Sequence, residues 1–274
     1  MNTRSVVSLC AALSAAAGLA PSAAAGPFAS SVVDYTPGSN PGAGFTDPST
    51  ALGEPTRVTS PGSPFGGAVT GFQTPFGADE VVSIGEGGSL TVAFDEPVTD
   101  DAANPFGIDL LVFGNAFYFD TDFPNGVAGG IGSEGGVISV SADGVNFVTV
   151  PGVDADGRFP TMGFRDPSAP FTTDTGGPAT GTIPSDFRKP VDPSFDPIGK
   201  TLAEIVAGYN GSGGGAGVDI GALGLSEISF VRIENPAGSG VTPEIDGFAD
   251  VPAPGAAGAL GLGGLALLRR RRAG

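Results

Sequence analysis

Apolar residues in the middle of the chain recur with period two. In Ser89-Leu90-Thr91-Val92-Ala93-Phe94, the residues Leu90, Val92 and Phe94 fall on one face of an extended segment. That alternation predicts a strand half buried against a core. Val81-Val82-Ser83-Ile84 precedes it across Gly85-Glu86-Gly87-Gly88, and the pair reads as a hairpin. From Ile108 to Phe119 the apolar run is denser, which predicts a central strand followed by a turn at Gly114-Asn115. Val137 to Ser141 alternates again, Ala142-Asp143-Gly144 is a turn signal, and Asn146 to Val150 returns. Ile228 to Ile233 is the last clear strand, and Ser31 to Tyr35 is a shorter one. Thr201 to Ala207, with Leu202, Ile205 and Val206, is the one segment that suits a short helix. Residues 26–80 are loop-rich, and residues 151–217 read as a long loop-rich insertion with little periodicity. Short alternating strands between Gly and Pro turns predict an all-β fold, an antiparallel β-sandwich of jelly-roll type with long Gly/Pro-rich loops. A closed barrel has the same periodicity and stays open as the alternative.

The two ends read differently. Arg4, the apolar run from Val6 to Ala20, and the small residues Pro21-Ser22-Ala23-Ala24-Ala25 have the three zones of a cleavable signal peptide, cut after Ala25. The run is shorter than the roughly 20 residues a spanning helix needs. Cys10 falls within the discarded segment. At the other end stand Val251-Pro252-Ala253-Pro254, a short Gly/Ala-rich apolar helix from Gly255 to Leu268, and Arg269, Arg270, Arg271 and Arg272. Four arginines after an apolar segment hold that end on the cytoplasmic side. This arrangement resembles the PEP-CTERM sorting tail of bacterial exported proteins, with Ala253 where that motif carries Glu. The resemblance implies an exosortase-type sorting enzyme as a partner, beside signal peptidase, and membrane anchoring, transient or permanent, through the tail. The expected organisation is a signal peptide at 1–25, a surface domain at 26–250 and a sorting tail at 251–274. The expected location is the cell surface or the extracellular space, reached through an inner-membrane intermediate.

Composition narrows the chemistry. With both ends removed, seven of the 12 Lys+Arg remain against all 29 Asp+Glu, a net charge of 7 − 29 = −22. Such a surface repels nucleic acid and anionic lipid. Residues 26–250 hold no Cys, His or Trp. Disulfides, thiolate chemistry and a Ser-His-Asp triad are thereby excluded, and any bound metal must be hard and oxygen-ligated, Ca²⁺ first. Asp100, Asp101 and Asp109 flank one strand connection, Asp120 and Asp122 follow the aromatic run, and Asp246 lies near the end. These six are the candidate Ca²⁺ ligands, although none of the acidic stretches has EF-hand spacing. Other acids, among them Asp154 and Asp156, read as solvated loops. Gly199-Lys200-Thr201 is no phosphate loop, because Pro197 interrupts it and no strand precedes it.

The order of the strands, with Val140-Ser141-Ala142-Asp143-Gly144-Val145-Asn146-Phe147 and then Phe230-Val231-Arg232-Ile233, resembles the galactose-binding-like (discoidin-type) jelly roll. The resemblance covers roughly residues 81–150 and 218–250, and Phe147 stands where Trp is usual. It implies a domain that binds sugars, lipids or proteins through loops at one end of the sandwich. Of the 19 phenylalanines, Phe94, Phe113, Phe147 and Phe230 are expected in the core. Phe159, Phe164, Phe171, Phe187 and Phe195 either pin the Pro-rich segment to the sandwich or form an exposed patch, and pinning is the expectation. Arg232 is expected to point outward between Val231 and Ile233. Three functions follow in order. The first is a non-catalytic structural or adhesive module of the extracellular matrix. The second is a Ca²⁺-assisted carbohydrate-binding module for exopolysaccharide. The third is a carboxylate-only glycoside hydrolase or lyase.

Overall fold

The computed structural model describes residues 26–252, apart from 61–62, 64–65 and 172–178. The signal segment and the tail from residue 253, with Pro254 and Arg269 to Arg272, lie outside the described residues, and so do both expected terminal helices. Along the chain run β1 (Ser31–Thr36), the short β2 (Val58–Thr59) and β3 (Gly67–Ala68), β4 (Val82–Ser83), and the long β5 (Ser89–Thr99). Then come β6 (Leu110–Gly114), β7 (Phe117–Asp120), β8 (Ala128–Gly132), β9 (Gly135–Ser141) and β10 (Val148–Asp156). Helix α1 (Leu202–Tyr209) precedes β11 (Ala216–Val218), β12 (Glu227–Glu234) and β13 (Glu244–Asp250).

The protein is predominantly β, and its main strands pair antiparallel in two sheets. One has the order β1-β5-β12-β9-β10 and the other β11-β6-β13-β4. The period-two pattern explains how they meet. Leu90 and Val92 of β5, Ile138 and Val140 of β9, and Val231 and Ile233 of β12 turn to one face of the first sheet. Leu110 and Val112 of β6 and Ile245 and Phe248 of β13 join them in one buried cluster. Burying such side chains stabilises by about 1.5–3 kcal/mol each. Sheets joined by a shared apolar layer make this a β-sandwich-like architecture.

The density of the β6 run has a physical reason. Leu110 and Val112 face the sandwich core, whereas Leu111 and Phe113 belong to a separate cluster on the other face, with Ile108, Phe187, Ala249 and Val251. Phe187, from the 151–217 segment, therefore covers the outer face of the four-stranded sheet, so β6 is apolar on both faces. A further cluster packs Ile205 and Tyr209 of α1 against Phe72, Tyr118 and Met162. The helix starts at Thr201, whose side chain accepts from the Glu204 N–H while Glu204 returns to the Thr201 N–H, and it ends at Asn210 in the left-handed region. No helix among the described residues is long and apolar enough to cross a membrane.

Several expectations change. Val81–Ile84 and Ser89–Phe94 do not form a hairpin: β4 pairs with β13, and β5 lies in the other sheet between β1 and β12. Both segments are core-facing, and periodicity gives the face of a strand, not its partner. The β9–β10 hairpin does form, with Val140 opposite Val148. Asp143 holds its turn by accepting from the Val145 and Asn146 N–H groups at 2.9 and 2.8 Å. Phe94 and Phe113 are buried, but Phe147 and Phe230 are only half-buried. Arg232 points outward with its guanidinium 3.7 Å from the centre of the Phe147 ring. Within the insertion, Phe159 and Phe187 are buried, while Phe164, Phe171 and Phe195 stay half-exposed. Val251, the first residue of the expected tail, is buried and donates its N–H to the Asp109 carbonyl at 2.8 Å.

Candidate functional site

A cleft of about 750 Å³ opens beside the end of β6. The β7–β8 hairpin forms one wall. On β7, Tyr118 turns inward to Phe72 and Tyr209, so Phe117 and Phe119 turn the other way and their rings meet at 5.0 Å. Opposite them, β8 carries glycine: Phe117 pairs with Gly132 and Phe119 with Gly130. A side chain on Gly132 would collide with the Phe117 ring at 2.7 Å, so this glycine leaves room for that ring to lie over the partner strand. Phe123 extends the wall from the hairpin turn. Phe171 of the insertion meets it at 5.2 Å and also meets Phe72 at 5.9 Å. Phe76 lines the cleft as well. Phe119 and Phe123 are 53% and 73% exposed, a large apolar area left in water at the mouth.

The polar part of the lining is acidic. Asp156, at the end of β10, is 1% exposed. Its Oδ1 accepts from the Ala116 N–H at 2.6 Å and its Oδ2 from the Glu134 N–H at 2.8 Å, which ties the β6–β7 turn to the β8–β9 turn. Gly114 allows this approach, because a Cβ there would lie 2.5 Å from Asp156 Oδ1. Burial pushes the Asp156 carboxyl up to about 7, against the opposing pull of its backbone donors. Behind it, Glu244 of β13 is hydrogen-bonded to Glu134 and Ser83, and burial with the neighbouring Glu134 raises it to about 9. Its Oε2 is buried without a partner. Glu134 and Asp120 also line the cleft, as does Thr74, which is 8% exposed and whose hydroxyl has no partner. Asp120 is engaged in the hairpin turn, accepting from the Asp122, Gly126 and Val127 N–H groups.

The six expected calcium ligands do not converge. Asp100 and Asp109 come together, and the third member of their group is Asp219, with one carboxylate oxygen from each lying within 4.8 Å of the others. Asp109 is buried. Its Oδ1 accepts from the Asp101 N–H and Asn104 Nδ2, and its Oδ2 from the Ile220 N–H. Burial raises its carboxyl above the usual range. Gly221 makes space for the group, since a Cβ there would lie 2.6 Å from Asp100 Oδ1. Three oxygens so placed suit a hard cation. Asp101 instead caps the Ala103 N–H, and Asp120 with Asp122 shapes the β7–β8 turn. Asp246 is buried on β13, where its oxygens accept from the Thr56 N–H and hydroxyl, and burial pushes it up to about 7.

Comparison with protein-family models gives no match, and comparison with the curated proteins gives none. The functional reading therefore rests on the cleft and the acidic groups themselves.

Asp219 was not among the expected ligands because it lies 110 residues from Asp109 and only the β11–β6 pairing brings it near. The cleft had a visible signal in the sequence: Phe117-Tyr118-Phe119 followed by Ala128-Gly129-Gly130-Ile131-Gly132 places rings opposite glycines.

Proposed function

We propose that the protein is an exported, non-catalytic surface module that binds exopolysaccharide in the Phe-lined cleft and so acts as an adhesive or structural component of the extracellular matrix. The observation that carries this reading is the cleft. Its volume of about 750 Å³ lies in the usual range for ligand sites, and rings at its mouth stand exposed beside polar groups. The apolar faces of sugar rings pack on aromatic side chains, and Thr74, Asn115 and Glu134 offer hydrogen-bonding groups to hydroxyls. The galactose-binding-like jelly roll is the finer form of the fold in this reading, and the five-stranded and four-stranded sheets around a shared core support it.

Binding is favoured over hydrolysis by the state of the carboxyls. A glycosidase needs two carboxyls flanking the scissile bond, about 5–5.5 or 6.5–9.5 Å apart. Here Asp156 spends both oxygens on backbone donors, Asp120 is bonded into its turn, and Glu244 does not line the cleft. Export by signal peptidase and sorting by an exosortase-type enzyme belong to the same proposal, resting on residues 1–25 and 251–274. The calcium expected from the acidic loops has its best seat at Asp100, Asp109 and Asp219.

The test is a glycan array with the purified surface domain, residues 26–252, followed by titration of any positive oligosaccharide. Saturable binding that disappears in F119A/F123A, with no release of reducing sugar, is the expected result. A blank array across neutral, anionic and cationic glycans would remove the proposal.

A further inference from the structure

We infer that the cleft selects glycans bearing protonated amines, that is, de-N-acetylated hexosamine units, over neutral or anionic ones. This deepens the exopolysaccharide reading and rests on it. The rings of the cleft bear no free donor. Phe117, Phe119, Phe123 and Phe171 have none to offer, and the one hydroxyl, on Tyr118, is spent on Tyr209 at 3.0 Å. A phenyl face carries partial negative charge and attracts an ammonium within about 6 Å of its centre. The ionisable groups among the described lining residues are the acids Asp120, Glu134 and Asp156, with no Lys or Arg. The nearby Arg158 belongs to a neighbouring cavity and donates to the Pro193 and Phe195 carbonyls.

Two further features point the same way. Glu134 is backed by the buried Glu244, to which it is hydrogen-bonded; the raised carboxyl of Glu244 keeps its proton at pH 6, so the negative charge of the pair is left on Glu134, at the lining of the cleft. Thr74, 8% exposed on the lining, keeps its hydroxyl without a partner, an acceptor and donor ready for a ligand amine or hydroxyl. A uronic acid would meet Asp120 and Glu134 with no Lys or Arg on the lining to offset them, and the chain's net charge of −17 repels it at longer range. A neutral sugar would use the rings and leave the acids unanswered. A hexosamine ammonium uses both.

The experiment titrates the surface domain by calorimetry with four oligosaccharides of equal length: a fully de-N-acetylated glucosamine oligomer, its N-acetylated counterpart, a neutral glucan and an oligouronate. Free glucosamine and tetramethylammonium serve as non-polymeric cations. Measurements run at pH 6 in 0.15 and 0.5 M NaCl. The expected result is at least tenfold tighter binding of the de-N-acetylated oligomer than of its acetylated counterpart. E134Q should weaken that binding at least tenfold, and F119A/F123A should abolish it. The double variant keeps the net charge and changes only exposed rings, and unfolding curves check that both variants fold. Equal affinity for the de-N-acetylated oligomer and its acetylated counterpart would overturn the inference while leaving the exopolysaccharide reading intact. De-N-acetylated binding that survives F119A/F123A would overturn it too, since that is bulk attraction to an acidic protein. Binding of tetramethylammonium but of no saccharide would overturn the reading as well. So would silence from every ligand.

Discussion

Replacing Glu244 by Gln should stabilise the protein, and by more as pH rises. Glu244 is 7% exposed, and its folded-state carboxyl is raised to about 9 from an ordinary 4.5 by burial and by Glu134. Between those two values the folded chain holds a proton that the unfolded chain has released. Stability therefore falls as pH rises through this window, by up to about 1.4 kcal/mol per pH unit for one such group. Accumulated from 4.5 to pH 8, the penalty reaches at most about 5 kcal/mol. Gln imitates the protonated carboxyl in shape and can still donate to Glu134, so E244Q removes the penalty and keeps the bond. The assay is urea unfolding of residues 26–252, wild type and E244Q, at pH 5, 6, 7 and 8 with EDTA present. The gain should be below about 1 kcal/mol at pH 5 and should grow by about 1 kcal/mol per unit above it. Parallel curves for the two proteins, or a gain that shrinks with rising pH, would refute the reasoning. Asp156 and Asp246, each raised to about 7 chiefly by burial, have the same sign. The exposed carboxyls of Asp143, Asp166 and Asp192 are lowered by side-chain and backbone donors, so their contribution is present above the ordinary Asp value and is lost at more acid pH. Wild-type stability should accordingly peak near pH 4–5 and decline toward neutrality.

Three other outcomes are expected. Millimolar Ca²⁺ should raise the unfolding temperature above its value in EDTA, a gain of about 2.7 kcal/mol at a hundredfold excess over Kd, and D219N should lose the shift. Ile233→Ala, near the end of β12 and fully buried, should cost about 2–5 kcal/mol in urea unfolding, because the sandwich core cannot close over the vacated space. Thr201→Ala should cost about 1 kcal/mol, the worth of the cap that starts α1, and a cost below the error of the unfolding curves would mean that tertiary packing alone holds the helix.

Much of the fold was legible because most strands obey one rule. Leu90 and Val92, Ile138 and Val140, and Val231 and Ile233 alternate along their strands, and all six are buried together. The short helix was legible from Leu202, Ile205 and Val206. The partner of β4 was not, because Val82 and Ile84 would bury equally well beside either sheet, and β13 lies some 160 residues on. Nor was the run Glu244–Asp250 legible as a strand: three of its seven residues are acidic, and their burial depends on Thr56, Ser83 and Glu134, which the sequence holds far apart. The candidate site was half legible. The aromatic run and the acid pair Asp100 and Asp109 stood out, but Asp156 looked like one more solvated acid in a chain with 29 of them. Only the close approach of Gly114 and the donors of Ala116 and Glu134 distinguish it.

The position of β6 separates two roles that a calcium-assisted binding module would combine. Asp109 immediately precedes the strand and Asn115, on the lining of the cleft, immediately follows it. Six residues of extended chain span about 20 Å, so an ion held by Asp100, Asp109 and Asp219 stands at the far end of the strand from the ligand. It cannot contact a sugar seated on Phe117 and Phe119. What it can do is relieve the repulsion among three carboxylates and fix the β5–β6 and β11–β12 connections, which raises stability by mass action and leaves the cleft unchanged. Glycan affinity should thus be the same within twofold in EDTA and in millimolar Ca²⁺, at a temperature where both forms are folded. A tenfold loss in EDTA under those conditions, or a D219N variant that folds but no longer binds glycan, would show that the two ends of β6 are coupled and that the ion belongs to the binding site.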